Sequence, residues 1–234
     1  ALLAIQTRQL NDRHHVVQRW RARQIDVVMP RAGGGHGAGV VHRPRHLNAL
    51  VRRGDGWHAD NTDGYGFIAS LRQNAPAWNA GAGPAAVLGA GGAARAVVAS
   101  LIEVGVPEVR ISNRTRARAD MLRSEFGAKV VVYDWVQAGN MLEDALTVVN
   151  TTSLGMTGKP EFRVPLDALS PSAVVTDLVY VPLKTRLLQE AEAVGCVTVD
   201  GLGMLLHQAA PAFERWFGVR PEVDQAARDV VLAP

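Results

Sequence analysis

The sequence predicts an α/β protein organised around a doubly wound parallel sheet, and three observations carry that reading. The short apolar run Ala85-Ala86-Val87-Leu88 precedes a glycine turn, Gly89-Ala90-Gly91-Gly92-Ala93-Ala94, after which Val97, Val98, Leu101 and Ile102 recur at helical spacing until Gly105. Strand-like and helix-like stretches then alternate to residue 199, the pattern of a parallel sheet with helices on its faces. Finally, 47% of the 234 residues are hydrophobic and 20% charged, enough to bury a core in one large domain or two modest ones.

After the turn and its helix, Val109–Ser112 reads as the next parallel strand and residues 116–126 as a helix. Residues 129–133 read as a strand, 135–142 as a short helix and 146–150 as a strand. Strands at 173–178 and 196–199 flank a helix at 184–194, and two helices, 202–217 and 221–232, close the chain. In such sheets ligands bind beyond the carboxyl ends of the strands. That rule singles out residues 150–156, 177–182 and 200–204.

Two stretches spell a dinucleotide fingerprint, and only one has the right surroundings. Gly33-Gly34-Gly35-His36-Gly37-Ala38 is followed by residues 39–44, which have no amphipathic helical face and end in Pro44. The Gly89 turn has a strand before it and a helix opening on it, so backbone N–H groups and the helix dipole face a pyrophosphate there. The end of the next strand bears on the cofactor. An NAD site usually carries Asp or Glu about 20 residues past the glycines, whereas this chain has Asn113, Arg114, Thr115, Arg116 and Arg118. Guanidinium groups bind a 2′-phosphate that a carboxylate would repel, so NADP is expected over NAD. Cations at a helix start oppose the dipole, which favours a ligand role over decoration.

Other classes are disfavoured. No apolar run approaches the ~20 residues of a membrane span, and the opening ALLAI meets Gln6 and Arg8 too early for a signal peptide. A cytoplasmic protein with no membrane partner is expected. Cys196 is the single cysteine, leaving no internal disulfide and no cysteine-based zinc site; no metal is expected. Residues 1–50 hold eight arginines and five histidines against Asp12 and Asp26, yet no nucleic-acid-binding motif accompanies that charge. The expected partner is a small molecule.

Six ordered stretches sharpen this: ADNTDGYGF (59–67), VLGAGGAARAV (87–97), SNRTRAR (112–118), VVNTTSLGM (148–156), DLVYVPLKT (177–185) and DGLGMLLHQAAPAFERWFG (200–218). From about residue 47 to the C-terminus, four-fifths of its length, the chain resembles the shikimate dehydrogenase family. Members reduce 3-dehydroshikimate to shikimate with NADPH, on the route to chorismate and the aromatic amino acids. The resemblance implies a Rossmann NADP domain at 81–204. It also implies a smaller N-terminal substrate domain at 1–80, incomplete or divergent over 1–46 and completed by the C-terminal helices at 205–234, in a monomer or homodimer.

The resemblance also implies roles. Gly89, Ala90, Gly91, Gly92 and Ala93 would cradle the pyrophosphate, and Asn113, Arg114, Thr115 and Arg118 the 2′-phosphate, with Leu178 and Gly201 beside the nicotinamide. Asp63 would bind a substrate hydroxyl and belong to the catalytic pair, while Asn48, Tyr180 and Gln208 would contact the substrate. Read without the family, Asn61-Thr62-Asp63 is also a good helix N-cap.

The N-terminal region departs from the family. Where members carry a motif like N-V-T-x-P-x-K, this chain has Asp26-Val27-Val28-Met29-Pro30-Arg31-Ala32, with Ala32 in the place of the catalytic lysine. The only lysines are Lys129, Lys159 and Lys184, and no serine precedes Ser70 to supply the family's carboxylate-binding pair. Two readings account for this. One is a shifted reading frame or truncated gene model, since high-GC DNA read out of frame yields Arg, Ala, Gly, Pro and His. The other is a diverged paralogue that keeps NADP binding without the dehydrogenase step. A quinate or dual quinate/shikimate dehydrogenase is a third candidate, disfavoured by Arg114 and Arg118 because such enzymes often prefer NAD.

Overall fold

The computed structural model describes residues 15–18, 47–53 and 56–233. Two compact units make up the chain: Ala1–Thr62 with Ala212–Val219, and Asp63–Pro211 with Arg220–Pro234. Asp26–Ala32 and the Gly33 loop lie outside the described residues.

The first unit contains a small sheet of β1 (His15–Gln18), β2 (Ala49–Arg53) and β3 (Gly56–Asp60) in the order β1-β3-β2. Strand β2 runs antiparallel to β3, and β1 parallel to it. Ala49 and Val51, two apart on β2, are both buried, as expected where one face of a strand packs inward. The Trp216 indole donates to the Leu50 carbonyl at 2.9 Å, and Arg215 pairs with Asp60 at 2.5 Å.

The second unit opens with α1 (Asp63–Asn74) and continues through β4 (Ala85–Leu88), α2 (Gly92–Glu103), β5 (Val109–Ser112), α3 (Arg116–Phe126) and β6 (Val130–Tyr133). Next come β7 (Thr147–Asn150), β8 (Val174–Asp177), α4 (Arg186–Val194), β9 (Val197–Val199), α5 (Gly201–Phe217), whose residues from Ala212 on belong to the first unit, and α6 (Gln225–Leu232). All six strands β4 to β9 are parallel, in the order β6-β5-β4-β7-β8-β9. This is the doubly wound Rossmann fold, with β4 and β7 flanking the point where strand order reverses.

Alternation along the strands builds two cores. Val87, Ile111 and Val149 join Val97, Val98 and Leu101 of α2 and Phe67 and Leu71 of α1. Leu88, Val148 and Val175 face the other way, onto Met141, Leu142, Phe162, Leu187 and Leu188. With both faces covered, β4 is wholly buried from Ala85 to Leu88, which is why it reads as a continuous apolar run. Each buried leucine or valine contributes roughly 1.5–3 kcal/mol.

Two elements differ from the sequence expectation. Residues 135–142 form two single 3-10 turns, Trp135–Gln137 and Asn140–Leu142, instead of a short helix. So short a segment does not repay helix nucleation. Gly139 also passes so close to Pro165 that an added Cβ would lie 3.1 Å from its carbonyl oxygen. The last helix starts at Gln225 rather than near 221, because the Asp224 carboxylate accepts from the Ala227 N–H at 2.9 Å and fixes the cap there.

Candidate functional site

Strand register sets the site. Leu88 is level with Ser112 on one side and Asn150 on the other, and Asn150 is level with Asp177. The segments that follow β4, β5, β7 and β8 therefore leave the sheet from one edge.

At that edge Gly89 turns the chain with φ +105°, a conformation costly to any residue with a Cβ. Its N–H donates to the Ser112 carbonyl at 2.8 Å, and a Cβ would lie 2.6 Å from the Thr151 hydroxyl. Thr151 cannot easily yield, since its hydroxyl and N–H both donate to the Leu88 carbonyl, at 2.7 and 2.8 Å. Substituting Gly89→Ala is expected to destabilise the protein by ~1–3 kcal/mol, measurable as a lowered denaturant midpoint.

Beyond the turn, Gly91 caps α2 without a side chain, and nothing lies within 4 Å of where its Cβ would be. The first amides of α2 thus receive no side-chain cap and open on free space, the arrangement that accepts an anion. The neighbouring turn is tied to it. Asn113 accepts from the Ala90 N–H at 3.1 Å and donates to the Thr115 carbonyl at 2.8 Å. Both ends of this side chain are engaged within the protein, joining the glycine turn to the start of α3.

The three arginines that follow are not equivalent. Arg116 is held by Asp134 at 2.5 Å, and that hydrogen bond, with the charge behind it, raises its pKa. Arg114 and Arg118 are exposed and have no side-chain hydrogen bond or ion pair among the described residues. Thr115 is also exposed and makes no capping bond with its hydroxyl. A pair of cations stands beside a donor-rich turn.

Two of the strand-end segments that the sequence singled out, 150–156 and 177–182, are joined in a polar cluster that sequence reasoning did not foresee. The Asp177 carboxylate is fully buried and accepts three hydrogen bonds: from the Asn150 amide at 2.9 Å, the Val179 N–H at 3.0 Å and the Thr185 hydroxyl at 2.7 Å. Asn150, itself buried, accepts from the Thr152 N–H and hydroxyl at 3.0 and 2.7 Å. Thr185 in turn caps α4. Loss of hydration pushes the Asp177 carboxyl up to about 6, outweighing the three bonds that pull it down.

The sign of the pH effect follows. With its native pKa above the ordinary 3.8, Asp177 binds a proton more tightly in the folded chain. Its favourable contribution is complete below about pH 4 and is lost as pH rises through about 6. The variant D177N, isosteric with the neutral acid, is expected to gain up to ~3 kcal/mol relative to the unaltered chain between pH 4 and 7. Denaturant unfolding of both across that range measures it.

The remaining sequence-predicted residues fall as follows. Leu178 and Gly201 come together, since a Cβ on Gly201 would lie 2.4 Å from the Leu178 carbonyl oxygen. Asp200 fixes that approach by accepting from the Leu202 and Gly203 N–H groups at 3.0 and 3.3 Å and from Arg228 at 2.6 Å. Asp63 opens α1, and three residues on Gly66 meets α5, where a Cβ would lie 2.7 Å from the Gln208 backbone nitrogen. Tyr180 is 39% exposed on the loop held by Asp177. Asn48 belongs to the first unit, where its side-chain oxygen accepts from the Thr62 N–H and hydroxyl at 2.9 and 3.0 Å. Among the described residues no group of three His, Cys, Asp or Glu could hold a metal ion, and no helix is long and apolar enough to cross a membrane.

Comparison with known proteins gives a consistent picture. Residues 77–156 match the family model of shikimate/quinate 5-dehydrogenase, and residues 201–229 that of the shikimate 5′-dehydrogenase C-terminal domain. The chain is 78% identical over 187 residues to a shikimate dehydrogenase (NADP(+)) of Cereibacter sphaeroides, covering 80% of this chain and 67% of that protein. A quinate dehydrogenase from Corynebacterium glutamicum in complex with NAD superposes with a TM-score of 0.72 at 30% identity, over 80% of this chain and 67% of that one. The shikimate 5-dehydrogenase of Thermus thermophilus in complex with NADP(H) and shikimate superposes with a TM-score of 0.64 at 38% identity, over 74% and 62%.

Proposed function

Because this chain belongs to the shikimate dehydrogenase family of oxidoreductases, we propose that it binds NADP(H) at the strand edge of its second unit and takes shikimate or 3-dehydroshikimate as substrate. The observation that carries the cofactor is the pairing of a side-chain-free helix start at Gly91 with Arg114 and Arg118, left without partners among the described residues. Residues 89–93 hold the pyrophosphate, with Asn113 fixing the turn. Asn113, Arg114, Thr115 and Arg118 hold the 2′-phosphate. Bound there, the cofactor supplies a hydride; Leu178 and Gly201 flank its nicotinamide.

In this reading residues 81–204 are the cofactor domain, and residues 1–80 with 205–234 form the substrate domain. Asn48, Tyr180 and Gln208 orient the substrate, and Asp63 holds the hydroxyl whose proton leaves as the carbonyl forms. With Ala32 in place of the family's lysine, proton transfer falls to Asp63 and water, and turnover is low. The protein acts in the cytoplasm, in the route to chorismate and aromatic amino acids, as a monomer or homodimer.

The test is formation of NADPH by the purified chain with shikimate, set beside quinate and NAD as alternatives. Cofactor binding with shikimate-dependent reduction supports the reading. NADPH binding with no response to either acid favours a non-catalytic NADP-binding paralogue, and a preference for quinate with NAD favours a quinate dehydrogenase.

A further inference from the structure

We infer that Asp177 is a positioning residue for the nicotinamide half of the site: its carboxylate fixes the loop bearing Leu178 and Tyr180 between the end of β7 and the start of α4. This rests on the family reading above, which places the nicotinamide beside Leu178.

The geometry is specific. One carboxylate oxygen takes both the Asn150 amide and the Val179 N–H, so it binds the neighbouring strand end and the loop at a single point. The other takes the Thr185 hydroxyl, which joins that point to the first turn of α4. Leu178 is held on its own account by an N–H bond to the Asn150 carbonyl at 3.0 Å, so the residue before Val179 and the residue at Val179 are anchored to the same asparagine, directly and through Asp177. Opposite, Leu178 meets Gly201 with no room for a methyl group. A loop pinned so closely leaves its exposed side to a planar ligand at a fixed height. Removing the carboxylate leaves three buried donors without their acceptor, and the Val179 N–H regains one only if the loop moves.

The adenosine end of the site lies on other elements, the β4–α2 turn and the start of α3, which Asp177 does not touch. This separation makes the assignment testable by binding the two ends separately. The probes are NADPH, followed by the fluorescence of its reduced nicotinamide, and adenosine 2′,5′-bisphosphate, followed by calorimetry. In D177A, and to a smaller degree in T185V, NADPH affinity is expected to fall about tenfold, the worth of one lost hydrogen-bonded constraint, and its fluorescence enhancement to shrink. Affinity for the bisphosphate stays at the unaltered value in both. D177N retains NADPH binding, because its amide donates to the Thr185 oxygen while its carbonyl still accepts from Val179 and Asn150. T185V carries the test should D177A not fold. Equal losses for both probes would reduce Asp177 to a general stabiliser and overturn the assignment, as would unchanged NADPH binding in D177A and T185V. An unaltered chain that binds neither probe overturns the proposed NADP site itself, a result distinct from either.

Discussion

Replacing Arg114 and Arg118 together with alanine is expected to weaken NADP+ binding by about 10²- to 10³-fold while leaving NAD+ binding within a factor of about two. Each guanidinium makes charge-assisted bonds worth roughly 1.5–3 kcal/mol, and the lower part of that range applies because both side chains are exposed. The structure separates these two from their neighbour. Arg116 is occupied by Asp134, so R116A is expected to change the NADP+/NAD+ preference far less than either of the others. Calorimetric titration of the unaltered chain, the double variant, R116A, R114A and R118A with both cofactors checks the set. A loss of NAD+ affinity equal to that of NADP+ in the double variant would mean that the arginines support the fold of the turn instead of reading the phosphate.

Shikimate-dependent NADPH formation by this chain is expected to run about 10²- to 10⁴-fold below that of a relative with the lysine in place, the usual cost of a missing general acid or base. The deficit belongs to proton transfer. It should therefore appear in kcat, with the dissociation constant for NADP+ unaffected, and substituting Asp63→Asn should lower the residual rate further. Steady-state kinetics beside such a relative, at matched cofactor saturation, measure this. A rate equal to the relative's would show that another group in the chain takes the hydroxyl proton, and would remove the significance of Ala32.

How much of this could be read from the sequence depended on whether the signal was local. The β4-turn-α2 unit was legible because a buried strand, a glycine turn and a helical repeat lie within 20 residues, and each has its own physical cause. The positive φ at Gly89 is what a glycine at that point announces. The Gly33 stretch has no helical pattern after it in the sequence, and it lies outside the described residues. Residues 135–142 misled, since Ala138, Met141 and Leu142 are spaced for a helix and are indeed buried, yet two 3-10 turns bury them equally well.

The polar organisation of the site was not legible in the same way. Asp177 depends on Asn150, 27 residues earlier, and on Thr185, eight later; only the parallel register of β7 and β8 brings the first pair level. A strand ending on an acidic residue, Val174–Asp177, was the available signal; Asp200, directly after β9, follows an apolar strand in the same way but is only half-buried. The arginines show the same limit from the other side. Arg114, Arg116 and Arg118 look alike in sequence, and the difference between them rests on Asp134, 18 residues past Arg116. Asn113 also carries a contact that its position in sequence did not announce, the link between Ala90 and Thr115.

The central claim is that the strand edge formed by Gly89, Asn113 and the two exposed arginines is an NADP site. Direct titration of the purified, unaltered chain with NADP+ and NAD+ under identical salt conditions tests it most simply. The account predicts saturable one-to-one binding of NADP+, at least about tenfold tighter than NAD+. Equal affinity for the two, or tighter binding of NAD+, would contradict it.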